Sequence, residues 1–559
     1  MSGTRKRILI IGGGAVGPKV ASRARRLDPE ADIKIVEAGK YVSYGACGMP
    51  YYVSGDIKTA DELVARTPEY FKKQLDVDVL LETVAVSIDR GAGTVLCRDS
   101  AGREFPLPYD ALVLAPGARP AVPPLEGRDL SGVFKLKDIP DMLAIAEYVK
   151  KEEPRKAAII GAGLIGLEMA EAFKAKGMAV TVVEMLGWPL PALLDEEMAS
   201  IVSRHLDDQG VRLILSQMAK RFEATQGGRV RRLVTDAETV ECDVALLSIG
   251  VRPETSLAAN AGLEIGPTRA IAVNERLQTS DPAIYAGGDC VECRHLVTGK
   301  PVFAPLGSTA NKHGRVIGTN VAGGNDTFPG ICATAIAKVF DMAVGRTGLT
   351  EREARQAGFE VVSSIVSQTD AAAYYPGAKR ITLKLLADAA NGRVLGAQCV
   401  GQGEVAKRID VVAAAISGRM DVKALAELDL AYAPPFSPAM DAVHHAANVI
   451  RNKMDGTAKT ISPQELKKRM NGNPDLVVLD VRTDREWKLM RIDHPEVQHI
   501  PIGKLAEMDA GFCEGKEVVT QCQSSVRAYA AQKMLERKGC KNVKFLDGSL
   551  SAWPYELKE

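Results

Sequence analysis

The sequence predicts an α/β fold: two parallel-sheet units of one kind, then an α+β domain, then a further α/β unit at the C-terminal end. Three observations predict it. A strand, glycine loop, helix, strand and acid occur in that order twice; a run of antiparallel strand patterns follows; and the last segment returns to buried strands alternating with helices.

The first unit opens with Arg7–Ile11 (RILII), a short buried-strand pattern. Gly12-Gly13-Gly14-Ala15-Val16-Gly17 follows and fits G-x-G-x-x-G. A helix-compatible stretch comes next, and then Ile33–Val36, a strand ending at Glu37. Gly12 permits a tight turn, Gly14 lets the backbone approach a pyrophosphate, and Gly17 lets helix and strand pack closely. The helix start favours anionic phosphates, and Glu37 stands where a carboxylate accepts hydrogen bonds from ribose hydroxyls. The second unit repeats the pattern: strand Ala157–Ile160, loop Gly161-Ala162-Gly163-Leu164-Ile165-Gly166, and strand Thr181–Val183 ending at Glu184. One such match is weak. Two complete ones in a single chain predict two Rossmann-like dinucleotide-binding domains. Glu184 would repel a 2′-phosphate, and Met185 and Leu186 supply no cation to bind one, so NADH is favoured over NADPH.

Ala283–Asp289 (AIYAGGD) is a strand ending in glycines and an aspartate. Together with Ala115-Pro116-Gly117 it resembles the crossover segments of two-dinucleotide flavoproteins. That resemblance implies an FAD site in which Asp289 meets the ribityl–phosphate end and Ser43, Ala115 and Gly117 line the cofactor. The first unit is then interrupted by the second and resumed: residues 1–117 and 245–325 bind FAD, and residues 118–244 bind NADH.

Residues 326–450 carry no nucleotide motif. Ala335–Phe340, Phe359–Ser367, Arg380–Ala387 and Val394–Val400 read as antiparallel strands, and Val405–Ile416 as a helix. Asn448–Thr460 (NVIRNKMDGTAKT) reads as a polar linker, bounded at 451–460 in the domain division. A new unit, 461–559, starts at the helix signal Ser462-Pro463. Val477–Val481 and Val518–Gln521 are strands, and the second leads into Cys522-Gln523-Ser524-Ser525-Val526-Arg527 before a helix pattern. A cysteine between strand and helix sits where backbone N–H groups converge, and Arg527 adds a fixed positive charge; both stabilise a thiolate or persulfide anion.

One cysteine stands apart. Cys47 lies in Ser43–Tyr52 (SYGACGMPYY), and the residues after it hold no second thiol: Gly48, Met49, Pro50, Tyr51 and Tyr52 follow. This stretch, the two glycine loops, AIYAGGD and Pro305–Arg315 (PLGSTANKHGR) together resemble the coenzyme A-disulfide reductase branch of the pyridine nucleotide–disulfide oxidoreductases, over roughly residues 1–450. The resemblance implies that Cys47 works beside the flavin and pairs with a substrate thiol, coenzyme A. It implies that 326–450 is a dimerisation domain and the protein a homodimer. Tyr374 (or Tyr375) and Tyr432 match tyrosines that reach the partner's active site, where a phenol can protonate a leaving thiolate. It also suggests coenzyme A phosphates on Lys19, Arg23 and Arg26, which share one helix face, with Ser43 nearby. Ala46 stands where the family often has asparagine.

LDVRTDREW (Leu479–Trp487), His499-Ile500-Pro501, the Cys522–Arg527 loop and LDGSLSAW (Leu546–Trp553) resemble a single rhodanese domain. In that family the cysteine carries sulfane sulfur. Ser525 replaces a common glycine. Cys290 and Cys293 form a C-x-x-C pair with no second pair at zinc spacing, and read as structural. No metal site is read from the seven histidines, and His444-His445 fall in a helix pattern.

Size and composition bound the rest. The chain has 559 residues, 46% hydrophobic and 25% charged, with a formal net charge of +1; that balance gives no reason to expect nucleic acid or a membrane as partner. No apolar run approaches the ~18 residues that span a bilayer. MSGTRKRILIIGGG is basic and then apolar but runs into the glycine loop, so it reads as a strand and not as a secretion signal. Ten scattered cysteines show no framework and fit a reducing cytoplasm. The function expected is NADH-dependent, FAD-containing reduction of persulfides, polysulfides or coenzyme A disulfide, with Cys522 as sulfur carrier. The alternatives are an NADH oxidase in which Cys47 cycles through a sulfenic acid, and a redox-sensing or sulfur-carrying protein with low turnover.

Overall fold

The structure, a computed structural model, describes residues 5–559; Met1–Thr4, the start of the basic N-terminal stretch, lie outside the described residues. The chain forms two compact units. One holds the residues up to Val183 with Gln217–Ile331, and the other holds Glu184–Ser216 with Cys332–Glu559.

In the first unit the strand predicted at Arg7–Ile11 is the centre of a five-stranded sheet. Its order is Ile284–Ala286, Ala111–Leu114, Arg7–Ile11, Asp32–Val36 and Val77–Leu80, all parallel. Ile8, Ile10, Ile33 and Ile35 fill one face and Leu9, Leu112, Leu114 and Ile284 the other. A parallel sheet covered on both faces needs such continuous apolar runs. The register places Ile11 beside Val36 and Leu114, so the glycine loop, Glu37 and Ala115 emerge together at the carboxyl ends of their strands. The AIYAGGD strand, distant in sequence, is added next to Ala111–Leu114.

The second glycine loop follows Lys156–Ile160, which pairs in parallel with Ala179–Val183 and Val244–Leu247; Val133–Phe134 lies beyond Val244–Leu247. The two loops repeat each other in detail. Gly12 has φ +110° and Gly161 φ +103°, and a side chain on either would collide with a carbonyl of the neighbouring strand end, Ala115 O or Ser248 O. At Gly14 and Gly163 nothing lies within 4 Å of a built Cβ. Each loop thus opens to the outside at its second motif glycine, the place a pyrophosphate needs.

In the second unit, Ala335–Val339, Met342–Gly348, Val394–Gly401, Arg380–Asp388 and Val361–Thr369 form an antiparallel sheet in that order. The helices Val405–Ser417 and Ala442–Met454 accompany it. A buried charge cluster anchors helix Glu196–Asp208 to this sheet. Lys384 is 1% exposed, lies 2.9 Å from Asp195 and 2.8 Å from Glu351, and also contacts Glu197. Gln398 donates to Asp195 at 2.6 Å. The ammonium contacts all three acids, and its charge is what allows the carboxylates of Asp195 and Glu197 to be buried there beside the part-exposed Glu351.

Two sequence expectations change. Asn448–Thr460 is no linker over its first half: the helix continues to Met454, Ile450 is fully buried, and Lys453 forms an internal ion pair. Polar residues on the outer face hid a helix whose inner face is Val443, Ala446, Ala447 and Ile450. The ten cysteines, read as showing no framework, include one pair: Cys513 and Cys540 form a disulfide.

The last domain is a parallel sheet ordered Thr460–Ile461, Val543–Leu546, Glu517–Gln521, Leu476–Asp480 and Val497–His499. Its first helix, Pro463–Met470, starts where the sequence signals it, with the Ser462 side chain accepting from Glu465 N–H. Among the described residues no helix is long and apolar enough to cross a membrane.

Candidate active sites

Cys47 sits in a single 3-10 turn, Ala46–Gly48, that runs directly into helix Met49–Ser54. The turn is held from behind. Gly45 N–H donates to Leu63 O, Ser43 N–H donates to Gly13 O, and Ala65 N–H donates to Ser43 O. The first glycine loop and the cysteine segment are therefore pinned to each other. Cys47 is the one exposed free cysteine among the described residues; Cys97, Cys242, Cys290, Cys293, Cys332, Cys399 and Cys522 are buried.

With no histidine near it in sequence, Cys47 must draw thiolate stabilisation from backbone N–H groups, helix-terminal dipoles or the flavin. Among the protein's own groups a backbone hydrogen bond does favour the thiolate, but the others outweigh it. Partial burial, foremost, and then the charges of Glu168 and Asp289 push the thiol above its ordinary value. Glu168 was missed by the sequence reading. It lies on helix Leu164–Ala175 behind the second loop, and burial, with Glu171 adding, raises its carboxyl from 4.5 to about 7. The signal available was an acid within the otherwise apolar run LIGLEMA. Burial also raises Asp289.

The FAD residues can be tested on this geometry. Glu37 accepts from Gly13 N–H at 2.6 Å and Gly39 N–H at 2.7 Å, so its carboxylate is held at the mouth of the open loop. Gly117 has φ +74° with clear space around it. An open glycine cradle, an acid at the ribose position and the part-buried Asp289 fit a dinucleotide. In the second loop's unit the fit is the same cradle at Gly163, while Gly166 packs against Gly161 O. Glu184 is buried and accepts from Leu186 N–H at 2.9 Å; Met185 and Leu186 are exposed.

The predicted basic face is split. Lys19 and Arg26 are exposed. Arg23 is partly buried and donates to Thr319 at 3.1 Å. The stems of Lys19 and Arg23 lie against Gly314 and Gly318 of helix Gly307–Val321, which lack the side chains that would displace them. Tyr374 and Tyr432 are brought together: they are 77% and 54% exposed, and Tyr432 raises the Tyr374 phenol by its proximity and hydrogen bond. Tyr375 is less exposed, at 40%. Cys290 is buried against Leu114 O and Gly287 O, and Cys293 lies 3.7 Å from His313 Nε2. Burial holds His313 neutral, down to about 4.

The second cysteine site is built differently. Cys522 follows strand Glu517–Gln521, is 1% exposed, and precedes helix Val526–Arg537. Ser525 occupies the left-handed region with φ +68°, a conformation that suits glycine. Hydrogen bonds hold it there: its N–H donates to Ser549 Oγ at 3.1 Å and its hydroxyl donates to Leu546 O at 3.1 Å. Ser549 Oγ also accepts from Cys522 N–H at 3.2 Å and stands 3.9 Å from the sulfur. Arg527 makes two bonds to Glu486, at 2.8 and 2.6 Å, which hold that carboxyl at about 2. Glu486 and the Cys522 sulfur both favour the charged guanidinium. Behind the loop, Trp487 stacks on His499 at 4.8 Å, and the buried pair Asp480–Arg482 closes the end of the neighbouring strand. Ser549 and Glu486 carry contacts that the sequence reading placed only inside matching segments.

Residues 6–311 match the family described as pyridine nucleotide-disulphide oxidoreductase, residues 334–444 its dimerisation domain, and residues 462–555 the rhodanese-like domain. Among solved structures, a NAD-dependent persulfide reductase from A. fulgidus is 46% identical with a TM-score of 0.92, covering 98% of this chain and 100% of that one. An NAD(P)H coenzyme A polysulfide/persulfide reductase of Pyrococcus horikoshii is 40% identical over 80% of this chain and 99% of its own. An NADH oxidase of Methanocaldococcus jannaschii is 38% identical over 80% of this chain and 99% of its own. The chain belongs to the pyridine nucleotide-disulphide oxidoreductases and carries a rhodanese-like domain after the family's dimerisation domain.

Proposed function

We propose that the protein is an NADH-dependent persulfide and coenzyme A-disulfide reductase, a homodimer in which Cys47 reduces the substrate and Cys522 carries sulfane sulfur. The observation that carries this reading is the isolation of Cys47: an exposed sulfur whose fellow free cysteines are all buried. A mixed disulfide on Cys47 must then take its second sulfur from a molecule that arrives.

The Cys47 thiolate attacks the inner sulfur of a coenzyme A persulfide. Cys47–S⁻ and CoA–S–SH give Cys47–S–S–CoA and HS⁻; with coenzyme A disulfide the leaving group is CoA–S⁻. FAD, when bound, supplies the two-electron link from NADH to this mixed disulfide. The balance is Cys47–S–S–CoA plus NADH giving Cys47–S⁻, CoA–SH and NAD⁺. Glu37, the Gly14 opening, Ala115, Gly117, Ser43 and Asp289 hold the FAD. Gly161, Gly163, Gly166 and Glu184 hold NADH, and Glu184 disfavours a 2′-phosphate. Lys19 and Arg26, with Arg23 held between them by Thr319, meet the coenzyme A phosphates. Tyr374 and Tyr432, joined to each other and open to solvent, donate a proton to the thiolate leaving the partner subunit's Cys47.

In the rhodanese-like domain the Cys522 thiolate attacks the outer sulfur of a persulfide. Cys522–S⁻ and R–S–SH give Cys522–S–SH and R–S⁻. The Arg527 charge, which the Cys522 sulfur favours, and the loop N–H groups not bonded to Ser549 would stabilise the resulting persulfide anion. Anaerobic NADH consumption with coenzyme A persulfide, scored for released sulfide, tests the proposal. Stoichiometric sulfide supports it. Fast NADH consumption with oxygen alone favours the oxidase reading, and absence of turnover favours the sensor or carrier reading.

A further inference from the structure

The segment Leu546–Trp553 does two things at once. One side builds the Cys522 loop. Ser549 Oγ accepts from Cys522 N–H and Ser525 N–H. Leu550 N–H donates to Cys522 O at 3.2 Å, and Ser551 N–H donates to Gln523 O at 3.0 Å. The Ser551 hydroxyl reinforces the last contact at 2.8 Å. Every one of these bonds crosses from the segment to the loop that holds the sulfur.

The other side is seated on residues outside the rhodanese-like domain. Arg204, on helix Glu196–Asp208, donates to Trp553 O at 2.9 Å and Ser551 O at 3.1 Å. Burial acts against its charge, yet the structure keeps the guanidinium there and spends it on two carbonyls. Lys453, in the helix that ends at Met454, pairs with Asp547 at 2.6 Å and donates to Ser363 O at 2.5 Å. Asp547 Oδ1 also receives Ile365 N–H from the edge strand Val361–Thr369, at 3.4 Å. Gly548, with φ +70°, lies so close to Ile365 that an added Cβ would sit 2.9 Å from its Cγ2.

We propose that Arg204 and the Lys453–Asp547 pair are positioning residues for sulfur transfer: through the Leu546–Trp553 segment they hold the Cys522 loop in its working shape, so the sulfurtransferase depends on the body that carries it. The loop needs this support. It contains a serine in the left-handed region, a state that persists only when its surroundings over-determine it. Arg204 and Lys453 hydrogen-bond to the segment and not to the loop, so their effect passes through Ser549, Leu550 and Ser551. The inference rests on the reading of Cys522 as a sulfur carrier.

The test uses the full FAD-bound chain, with thiosulfate as sulfane donor and cyanide as acceptor: Cys522–S⁻ takes one sulfur, sulfite leaves, and cyanide removes the sulfur as thiocyanate. Arg204→Met and Lys453→Met are each expected to lower the sulfurtransferase kcat about tenfold, since small misplacements of reacting groups cost that much or more. KM for thiosulfate should stay within about twofold, because Arg527 and the loop charge are untouched. NADH-driven reduction of coenzyme A disulfide at Cys47 should be unchanged, and Arg204→Lys, which keeps a cationic donor, should recover part of the lost kcat. Unchanged sulfur transfer in both Met variants overturns the inference. So does a parallel loss of both activities, or a failure of Arg204→Lys to differ from Arg204→Met. If the unmutated protein shows no Cys522-dependent transfer, it is the carrier reading that falls.

Discussion

Replacing Glu168 with glutamine separates the charge near Cys47 from the shape of the site. Burial and Glu171 move the Glu168 carboxyl from 4.5 to about 7, which corresponds to about 3 kcal/mol of penalty on its charged form. Among the charges acting on Cys47, Glu168 is the largest, and it disfavours the thiolate. Below about pH 6 the native carboxyl is mostly neutral and the two proteins should behave alike. As pH rises through about 7 the carboxyl ionises, and the thiolate is disfavoured only in the native protein. A part-screened charge pair of this kind is worth on the order of 1 kcal/mol, or about fivefold in thiolate population. The assay is the second-order rate of Cys47 alkylation by iodoacetamide between pH 6 and pH 9, in the FAD-bound Cys522→Ser protein. Glu168→Gln should alkylate about fivefold faster at pH 8 and equally at pH 6. Parallel profiles across the whole range would show that Glu168 does not control Cys47. Stability has a matching sign. The folded state binds the Glu168 proton more tightly than the unfolded chain, so this favourable contribution is full below 4.5 and is lost as pH rises through about 7. The melting temperature of Glu168→Gln should therefore gain on the native protein over that window.

Three other outcomes follow from the geometry. Lys384→Met leaves Asp195 and Glu197 buried without their counter-charge and Glu351 with Arg355 alone, and should lower stability by about 3–5 kcal/mol, read as a lower melting temperature with Cys47 alkylation retained in the surviving fold. Ser525→Gly removes a left-handed strain of about 1–2 kcal/mol and one hydroxyl bond of about 1 kcal/mol, so its melting temperature should barely move; Ser525→Ala keeps the strain, loses the bond, and should melt lower. Cys47→Ser should abolish NADH-driven reduction of every substrate, whereas Cys522→Ser should lose sulfur transfer and still reduce small disulfides; equal losses in both would contradict the division of labour.

What the sequence shows and what it hides divide along sequence distance. The two glycine loops are legible because the turn, the approach of Gly17 to Gly12 O (and Gly166 to Gly161 O) and the open face are decided within six residues of each other. The same holds for the cysteine between strand and helix at Cys522. The AIYAGGD strand is legible as a piece, though its seat beside Ala111–Leu114 depends on pairing Ile284 with Leu112, far apart in sequence. The end of helix Ala442–Met454 is hidden because NVIRNKMDGTAKT reads as a polar linker, while Lys453 pairs with Asp547 and Ile450 is buried. The Cys513–Cys540 pairing could not be chosen from ten cysteines by spacing alone. The Lys384 cluster draws on residues from four separate stretches, so no local pattern announces it. The charges that oppose the Cys47 thiolate are hidden for a similar reason: Glu168 and Asp289 reach it from the second loop's helix and from the returning strand, not from its own turn.

The external partner of Cys47 can be observed directly. The FAD-bound protein is mixed with coenzyme A disulfide without NADH, digested without reductant, and the Cys47 peptide is weighed by mass spectrometry. A peptide carrying one coenzyme A, released when NADH is added, is the predicted result. A Cys47 peptide linked instead to another cysteine of the protein would contradict the mechanism.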